Sequence, residues 1–513
     1  MTAPLSREAA VAVLGAGAMG SGIAQVAAQA GHRVLLYDAR TGAAEEARAR
    51  LAATLDQLAA KGRISADDAR TAAARIETIH TPAACVSAKL VIEAIVEDLD
   101  AKRELFRDLE VVVAPDAILA SNTSSFSITA LAAGLEHPGR VAGMHFFNPA
   151  PLMPLVEVIG GVRTDRAVLD TLHATATAWG KTPVHAMSTP GFIVNRCMRP
   201  FYGEALRLLS ERAADVPTID ALMRDAGGFR MGPFELMDLI GLDVNYAVTQ
   251  SVWQATYHDP RYAPSAIQRE LVVAGFLGRK SGRGFYDHAA GVEPPSPVVA
   301  ETAKCPHRVA IHGEPGPLRP LLDRLAAAGM VIQHRPLHPS FPDGAIDAGS
   351  AWIALTDGRT ATARASATTA TNLVLVDLAL DYASTKRLAI ATSARCDPAS
   401  ALAATGALQA AGYLVSRLDD VAGLVVMRTV AMLVNEAADA ASQGVASSAD
   451  IDLAMQKGVN YPRGPLAWGN AIGPARVAAV LANLRDHYGD ARYRTSPRLA
   501  RAAQSDGHLL DDE

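Results

Sequence analysis

Charge of one sign, cysteine and aromatic rings are all in short supply in this 513-residue chain. Lys and Arg number 48 against 53 Asp and Glu, a formal net charge of −5, so there is no basic footprint for a nucleic acid. The four cysteines, Cys85, Cys197, Cys305 and Cys396, lie far apart without a CxxC pair. That argues against a disulfide scaffold or a zinc site and makes a reducing compartment the default. No uncharged apolar run reaches the roughly 18 residues that cross a bilayer. Residues 1–10 lack the apolar core of a secretory signal. The expectation is a cytoplasmic protein with no metal site, no nucleic-acid partner and no membrane partner. Half the residues are hydrophobic and only 5% are aromatic, which suits a mainly helical α/β protein of three or four domains.

The first 125 residues alternate short apolar runs with helical periodicity. VAVLG (11–15), RVLLYD (33–38), LVIEAIVED (90–98) and AILASNTSS (117–125) read as strands. Between them, residues 16–31, 42–79 (with a turn at Lys61-Gly62) and 99–113 read as helices. That order predicts a parallel, doubly wound sheet. From about Asp165 to GRGFYDH near 288 the periodicity is helical almost throughout, and GVEPPSPVV (291–299) reads as a linker.

Beyond the linker the chain repeats itself. PGFIVNRCMRPFYGEALRLLSE (190–211) aligns with AGLVVMRTVAMLVNEAADAASQ (422–443) at a constant offset of 232 residues. Gly191, Arg196 and Glu204 meet Gly423, Arg428 and Glu436. Ile219-Asp220 meets Ile451-Asp452, and Gly232-Pro233 meets Gly464-Pro465. Residues from about 306 onward are therefore a second, shortened copy. The expected layout is a dinucleotide-binding α/β domain at 1–188, an all-α domain at 189–290, a linker at 291–305, a degenerate α/β domain at 306–416 and a second helical domain at 417–513.

Gly15, Gly17, Ala18, Met19 and Gly20 belong to a G-x-G-x-x-G turn between the first strand and first helix, and Asp38 closes the second strand 18 residues later. The first glycine permits the tight turn, the second lets a pyrophosphate approach the backbone, and the third allows close helix–strand packing. Asp38 would accept from a ribose 2′-hydroxyl and repel a 2′-phosphate, which favours NAD; Arg40 is the one feature favouring NADP. The corresponding turn of the second copy, RVAIHGEPGPLRPLL (308–322), carries Pro315 and Pro317 and no third glycine. Its cofactor site is expected to be lost.

In AGMHFFNPAPLMPLVEVI (142–159), His145 ends one strand and Glu157 interrupts another. An ionised carboxylate among Leu155, Val156, Val158 and Ile159 needs a partner, and an imidazole N–H is the cheapest. Such a pair fixes the histidine tautomer and stabilises the imidazolium, as a general base requires. A histidine merely hydrogen-bonded in a core is the bland alternative.

SNTSS (121–125), GMHFFNPAPLMPLVEVI (143–159), TPGFIVNR (189–196) and GPFELMDLIGLD (232–243) resemble the L-3-hydroxyacyl-CoA dehydrogenase family of fatty-acid β-oxidation over about residues 8–288. The two-copy layout is similar to the longer bacterial branch acting on 3-hydroxybutyryl-CoA or, in phenylacetate breakdown, 3-hydroxyadipyl-CoA. The resemblance implies an α/β Rossmann-like domain followed by an all-α domain and a degenerate second copy. It implies His145 as base, Glu157 as the acid that orients it, and Ser124 and Asn195 beside the substrate oxygen. It further implies that Asp38, Glu97, Lys102, Ser124, Asn148 and Lys280 contact NAD. Thr54 and Lys61 would meet coenzyme A, although the family commonly has serine at the position of Thr54.

These residues imply NAD-dependent oxidation of an L-3-hydroxyacyl-CoA to the 3-oxoacyl-CoA. The alternatives are the reverse, acetoacetyl-CoA reductase direction and a catalytically silent scaffold. At the offset of 232, His145, Glu157 and Asn195 fall on Asp377, Ala389 and Met427, so the second copy is expected to be structural. The partner is an acyl-CoA substrate. The chain would act either as a homodimer or as a monomer whose two helical segments pair as a pseudo-dimer.

Overall fold

The computed structural model describes residues 3–314, 316–342, 344–368 and 370–510. Pro315, one of the two prolines expected in the second turn, lies outside them, as do the last three residues of the second helical domain. The chain divides into two compact units. The first runs to Arg196 and takes in Gln443–Val459; the second comprises Cys197–Ser442 and the chain from Asn460 onward.

The first unit is built on eight strands: β1 (Ala10–Leu14), β2 (Val34–Tyr37), β3 (Ile76–Thr78), β4 (Ala88–Glu93), β5 (Ile118–Ser121), β6 (Val141–Phe146), β7 (Leu155–Gly160) and β8 (Thr182–Met187). Their order is β3-β2-β1-β4-β5-β6-β7-β8. Every neighbouring pair is parallel except β6 and β7. Strands β1, β6 and β7 are buried along their whole length, which is why their apolar runs are continuous rather than alternating. The β6–β7 pair is antiparallel because residues 147–154 supply only a short, proline-broken connection. A parallel return needs a crossover of a dozen or more residues.

Two strands were not expected from periodicity. Residues 76–78 read as the end of a helix, yet they form the edge strand β3. Residues 182–187 fell inside a region read as helical, yet they pair parallel with β7 as β8. Both are short, and tertiary pairing decides their conformation.

The second unit begins with a helical segment. Asp220 accepts from the amides of Phe234 and Glu235 at the start of helix Pro233–Ile240, and Asp238 accepts from the amides of Phe285 and Tyr286. These two carboxylates explain the GPFELMD and GFYDH motifs as local ties. A second sheet follows: β9 (Arg308–His312), β10 (Val331–Arg335), β11 (Ala345–Asp347), β12 (Trp352–Leu355), β13 (Leu373–Val376), β14 (Arg387–Thr392) and β15 (Leu414–Arg417), ordered β10-β9-β11-β12-β13-β14-β15. Shifted by 232 residues, β7 falls on β14, and β6 and β8 overlap β13 and β15. The antiparallel β6–β7 pairing recurs between β13 and β14. The shortening lies before β12. Where the first sheet places β4, parallel to both neighbours, the second places β11, antiparallel to both. Only residues 348–351 join β11 to β12, too few for a crossover, so antiparallel pairing is the geometry left.

The repeated helices meet within this unit. Helix α2 (Arg199–Ser210) packs on helix α3 (Val426–Ser442). The contacts are reciprocal between copies. Glu204 receives Arg428 Nε at 2.7 Å and Tyr493 Oη at 3.0 Å. Its repeat counterpart Glu436 receives Tyr262 Oη at 2.5 Å and Arg261 at 3.3 Å. Arg428 is wholly buried and also grips Glu211 with both terminal nitrogens, at 2.9 and 3.0 Å. Each copy supplies the cation and phenol for the other copy's carboxylate, the pattern of a two-fold interface folded into one chain.

Removing the central cation strands Glu204 without its counter-charge. Arg428→Met is expected to lower unfolding free energy by about 3–5 kcal/mol in urea titrations, with Glu204→Gln added to it recovering part of the loss.

Candidate active site

The parallel strands of the first sheet deliver their C-terminal ends to one edge, where a doubly wound sheet binds ligands. The loops after β1, β2, β4 and β5, the helix that follows β4 and the end of β6 carry most of the candidate residues of this unit.

The three glycines of the first turn are required for three different reasons. Gly15 has φ +106°, and a Cβ there would lie 2.3 Å from the Ala94 carbonyl oxygen. A Cβ on Gly20 would lie 1.8 Å from the Gly15 oxygen, so helix and strand meet through its bare Cα. Around Gly17 a Cβ meets nothing within 4 Å. Protein packing therefore does not demand that glycine, whereas a pyrophosphate approaching the backbone would. Helix α1 (Ala18–Gln29) starts there with no side-chain cap and no acidic residue in its first turn, so the amides at Ala18, Met19 and Gly20 retain the anion-attracting character of a helix N-terminus.

Asp38, just past β2, is fixed by the amides of Ala16 (2.7 Å) and Arg40 (2.9 Å). Its carboxylate is thereby held at the C-terminal end of β2. The Arg40 guanidinium is turned to Glu46 at 2.8 Å. Both chains of that pair are exposed, so it is a weak tether. This turn fits NAD.

His145 and Glu157 are direct cross-strand partners in the β6–β7 ladder. His145 Nδ1 lies 2.7 Å from Glu157 Oε2, with the histidine 6% exposed and the glutamate fully buried. The imidazole packs against Phe147 and Phe192, ring centres 4.6 and 5.9 Å away. With Nδ1–H donated to the carboxylate, Nε2 is the nitrogen that carries the lone pair. The other oxygen of Glu157 accepts from the amides of Ile193 and Val194, each at 3.0 Å. These amides converge because Gly191 and Phe192 both take positive φ, +76° and +48°. A bulky residue in that region is rare and strained. The turn acts as a nest for the carboxylate.

The loop after β5 adds the polar rim. Asn195 Nδ2 donates to the Ser124 carbonyl at 3.4 Å, so these two residues are brought together. Glu97 accepts from Thr123 Oγ1 at 2.6 Å, from the Ser124 amide at 3.1 Å and from Ser125 Oγ at 2.9 Å. Burial opposes ionisation of Glu97, but Lys102 and the Thr123 and Ser125 hydroxyls outweigh it and hold its carboxyl below the usual range. Lys102 is itself almost fully buried, 2.6 Å from Glu93 and 3.2 Å from Glu97. Its ammonium supports the two acidic side chains from beneath. Glu93 was missed in the sequence, although a carboxylate inside LVIEAIV was a visible signal. Asn122, whose Oδ1 takes the Phe146 amide at 2.8 Å and pins the end of β6, gave no such signal.

The remaining candidates are more exposed. Thr54 lies on helix Ala43–Ala60 with its hydroxyl donated to the Arg50 carbonyl at 2.9 Å, and Lys61 ends that helix. Asn148 is exposed in the loop after β6. Lys280 belongs to the second unit, paired with Asp243 at 2.6 Å.

In the second copy, Asp377 holds the position of His145 and Ala389 that of Glu157. Asp377 accepts from the amides of Leu378 (2.8 Å), Val425 (2.9 Å), Val426 (2.7 Å) and Met427 (3.0 Å). Val425 and Val426 are the repeat counterparts of Ile193 and Val194. Leu424 repeats the positive φ of Phe192, at +56°. The carboxylate-in-nest survives, supplied from the neighbouring strand, and the imidazole is gone.

Residues 10–189 match the 3-hydroxyacyl-CoA dehydrogenase NAD-binding domain, and 191–288 and 423–508 match the C-terminal domain of the same family. Residues 353–421 match a reduced Rossmann-fold domain of 3-hydroxybutyryl-CoA dehydrogenase. The 3-hydroxyadipyl-CoA dehydrogenase of Escherichia coli K12 is 42% identical over 96% of this chain and 97% of its own length. A probable 3-hydroxybutyryl-CoA dehydrogenase of Bacillus subtilis is 43% identical over 54% of this chain and 96% of its own. The crystal structure of an Escherichia coli K12 3-hydroxybutyryl-CoA dehydrogenase superposes with a TM-score of 0.88 at 41% identity, over 98% of this chain and 99% of that one. The chain belongs to the 3-hydroxyacyl-CoA dehydrogenase family, and its cofactor is NAD.

Proposed function

We propose that this chain oxidises the 3-hydroxyl of a short or dicarboxylic L-3-hydroxyacyl-CoA, with His145 as general base. The observation that carries this is the buried 2.7 Å contact between His145 Nδ1 and Glu157. Glu157 is a positioning residue: it fixes the ring and stabilises the imidazolium that forms when Nε2 takes the hydroxyl proton. Ser124 and Asn195 donate hydrogen bonds to the substrate oxygen as negative charge develops on it. When bound, NAD supplies the hydride-accepting ring. Gly17 and the amides at Ala18, Met19 and Gly20 hold its phosphates and Asp38 its ribose, with Glu97, Lys102 and Asn148 contributing to the cofactor pocket; Lys280 is a further candidate contact to NAD. Thr54 and Lys61 meet the coenzyme A moiety.

The acyl class follows the relatives. The full-length match acts on 3-hydroxyadipyl-CoA by name, and several half-length ones on 3-hydroxybutyryl-CoA. The scattered cysteines, with no disulfide among the described residues, suit a cytoplasmic enzyme, and no helix among the described residues is long and apolar enough to cross a membrane. The reciprocal Glu204–Arg428 and Glu436–Arg261 contacts support a monomer whose helical segments form an internal pseudo-dimer.

Three outcomes are expected. His145→Gln lowers kcat by about 10²–10⁴-fold while NAD affinity, read by fluorescence titration, stays within twofold; near-normal turnover would remove the base assignment. Asp38→Asn lowers kcat/KM for NAD by about 10–100-fold, the worth of one charged hydrogen bond, and narrows the gap to NADP; an unchanged ratio would refute the role of Asp38. A fragment ending near residue 290 either aggregates or dimerises by sedimentation analysis, and a fully active monomer would contradict the internal pseudo-dimer.

A further inference from the structure

A cavity of about 390 Å³ runs along one face of α2 in the second unit, with Arg199, Arg207, Arg261 and Arg492 in its lining. Three of these arginines are neutralised. Arg261 is held by Asp259, Glu436 and Asp439, and Arg207 and Arg492 share Asp490. Arg199 has no carboxylate partner among the described residues. It is 5% exposed, donates one terminal nitrogen to Thr249 Oγ1 at 3.0 Å and lies 5.1 Å over the Tyr202 ring. Its Nε finds no acceptor among the described residues.

Two phenols near it share that condition. Tyr202, also in the cavity wall, and Tyr461 are both buried, and neither hydroxyl has a hydrogen-bond partner among the described residues. Burial pushes both phenols up and the Arg199 guanidinium down, and each phenol interacts electrostatically with Arg199. Arg199 also heads α2, whose first turn holds no acidic residue, so the positive helix end adds to the local field. A buried cation beside unmet donors is costly unless an anion completes it.

We propose that Arg199, Tyr202 and Tyr461 form a carboxylate-binding subsite that takes the free carboxylate of a dicarboxylate. A carboxylate offers two planar oxygens with about four acceptor positions, which suit one guanidinium fork and two hydroxyls, and its single charge balances the single unpaired cation. Two carriers share this chemistry: the far end of a dicarboxylyl-CoA substrate, and a small free dicarboxylate. The first rests on the dehydrogenase function proposed above, and Arg199 follows Asn195 by only four residues in the chain. The second stands independently of it.

The test uses the full chain. Adipate is titrated against its melting temperature, with hexanoate at equal ionic strength as control. In parallel, kcat/KM is measured for 3-hydroxyadipyl-CoA and 3-hydroxyhexanoyl-CoA, which share a chain length and differ in the ω-carboxylate. With a substrate-borne carboxylate, the adipyl/hexanoyl ratio falls about 100-fold in Arg199→Met and about tenfold in Tyr202→Phe. With a free dicarboxylate, adipate but not hexanoate raises the melting temperature, Arg199→Met abolishes that rise, and the substrate ratio stays fixed. A purely structural Arg199 is marked by a lower melting temperature in Arg199→Met with neither readout moved, and that overturns the proposal. If Arg199→Met fails to fold, the Tyr202→Phe/Tyr461→Phe double variant is judged by the same two readouts. A wild-type chain that turns over neither acyl-CoA counts against the dehydrogenase, while the adipate titration still decides the subsite.

Discussion

The site depends on one register. Because β6 and β7 run antiparallel with His145 opposite Glu157, an imidazole and a carboxylate face each other with no loop between them. A slip of one residue would carry Glu157 to the other face of the sheet and leave both groups buried and unpaired. The short turn between the strands is what makes the pairing antiparallel. That turn is pinned from below by Lys181, 9% exposed, whose ammonium donates to the carbonyls of Ala150 (2.5 Å) and Met153 (2.9 Å). The far oxygen of Glu157 grips the amides that lead into Asn195. A single carboxylate thus ties the histidine to the segment bearing its proposed partner.

The second copy separates what Glu157 does for chemistry from what it does for folding. There the strand pair, the positive-φ turn and the amide nest all persist, and Asp377 reaches the nest directly from the strand that would bear the base. One shorter acid replaces the two-residue relay. Burial pushes Asp377 up to about 6 against its four amide donors, which a group with no proton to move can tolerate. Anchoring the first turn of a helical segment is therefore a separable demand of this site: it remains where the imidazole does not.

Much of this was legible in the sequence because the signals were local. The glycine turn, the Asp38 spacing and a buried acid in LVEVI each carry their reason within a few residues, and the gapless offset exposed the repeat. What stayed hidden was set by distant pairing. The edge strand at 76–78 and β8 at 182–187 are strands because of their neighbours, not their own patterns. Lys102, expected by resemblance to contact NAD, lies beneath Glu93 and Glu97, and nothing in its own segment marks that burial. Asp377 reads as a lost histidine, and only the coordinates show that it serves the amides Glu157 serves in the first copy. Nothing in MRPFYGEA marks Arg199 as buried without a carboxylate partner among the described residues.

The exchanged ion pairs bear on why a second copy is kept at all. Glu204 and Glu436 are almost fully buried, and each draws its cation and phenol from the other copy. Between separate chains, such pairs would form only as fast as protomers meet, and the free protomer would hold bare carboxylates on an exposed face. Stability would then depend on protein concentration. Within one chain the partner is always present at high effective concentration, so the desolvation cost of those charges is met once, during folding. The second copy thus keeps α3 and the segment bearing Tyr493, which complete the exchange, although its sheet lacks the crossover before β12.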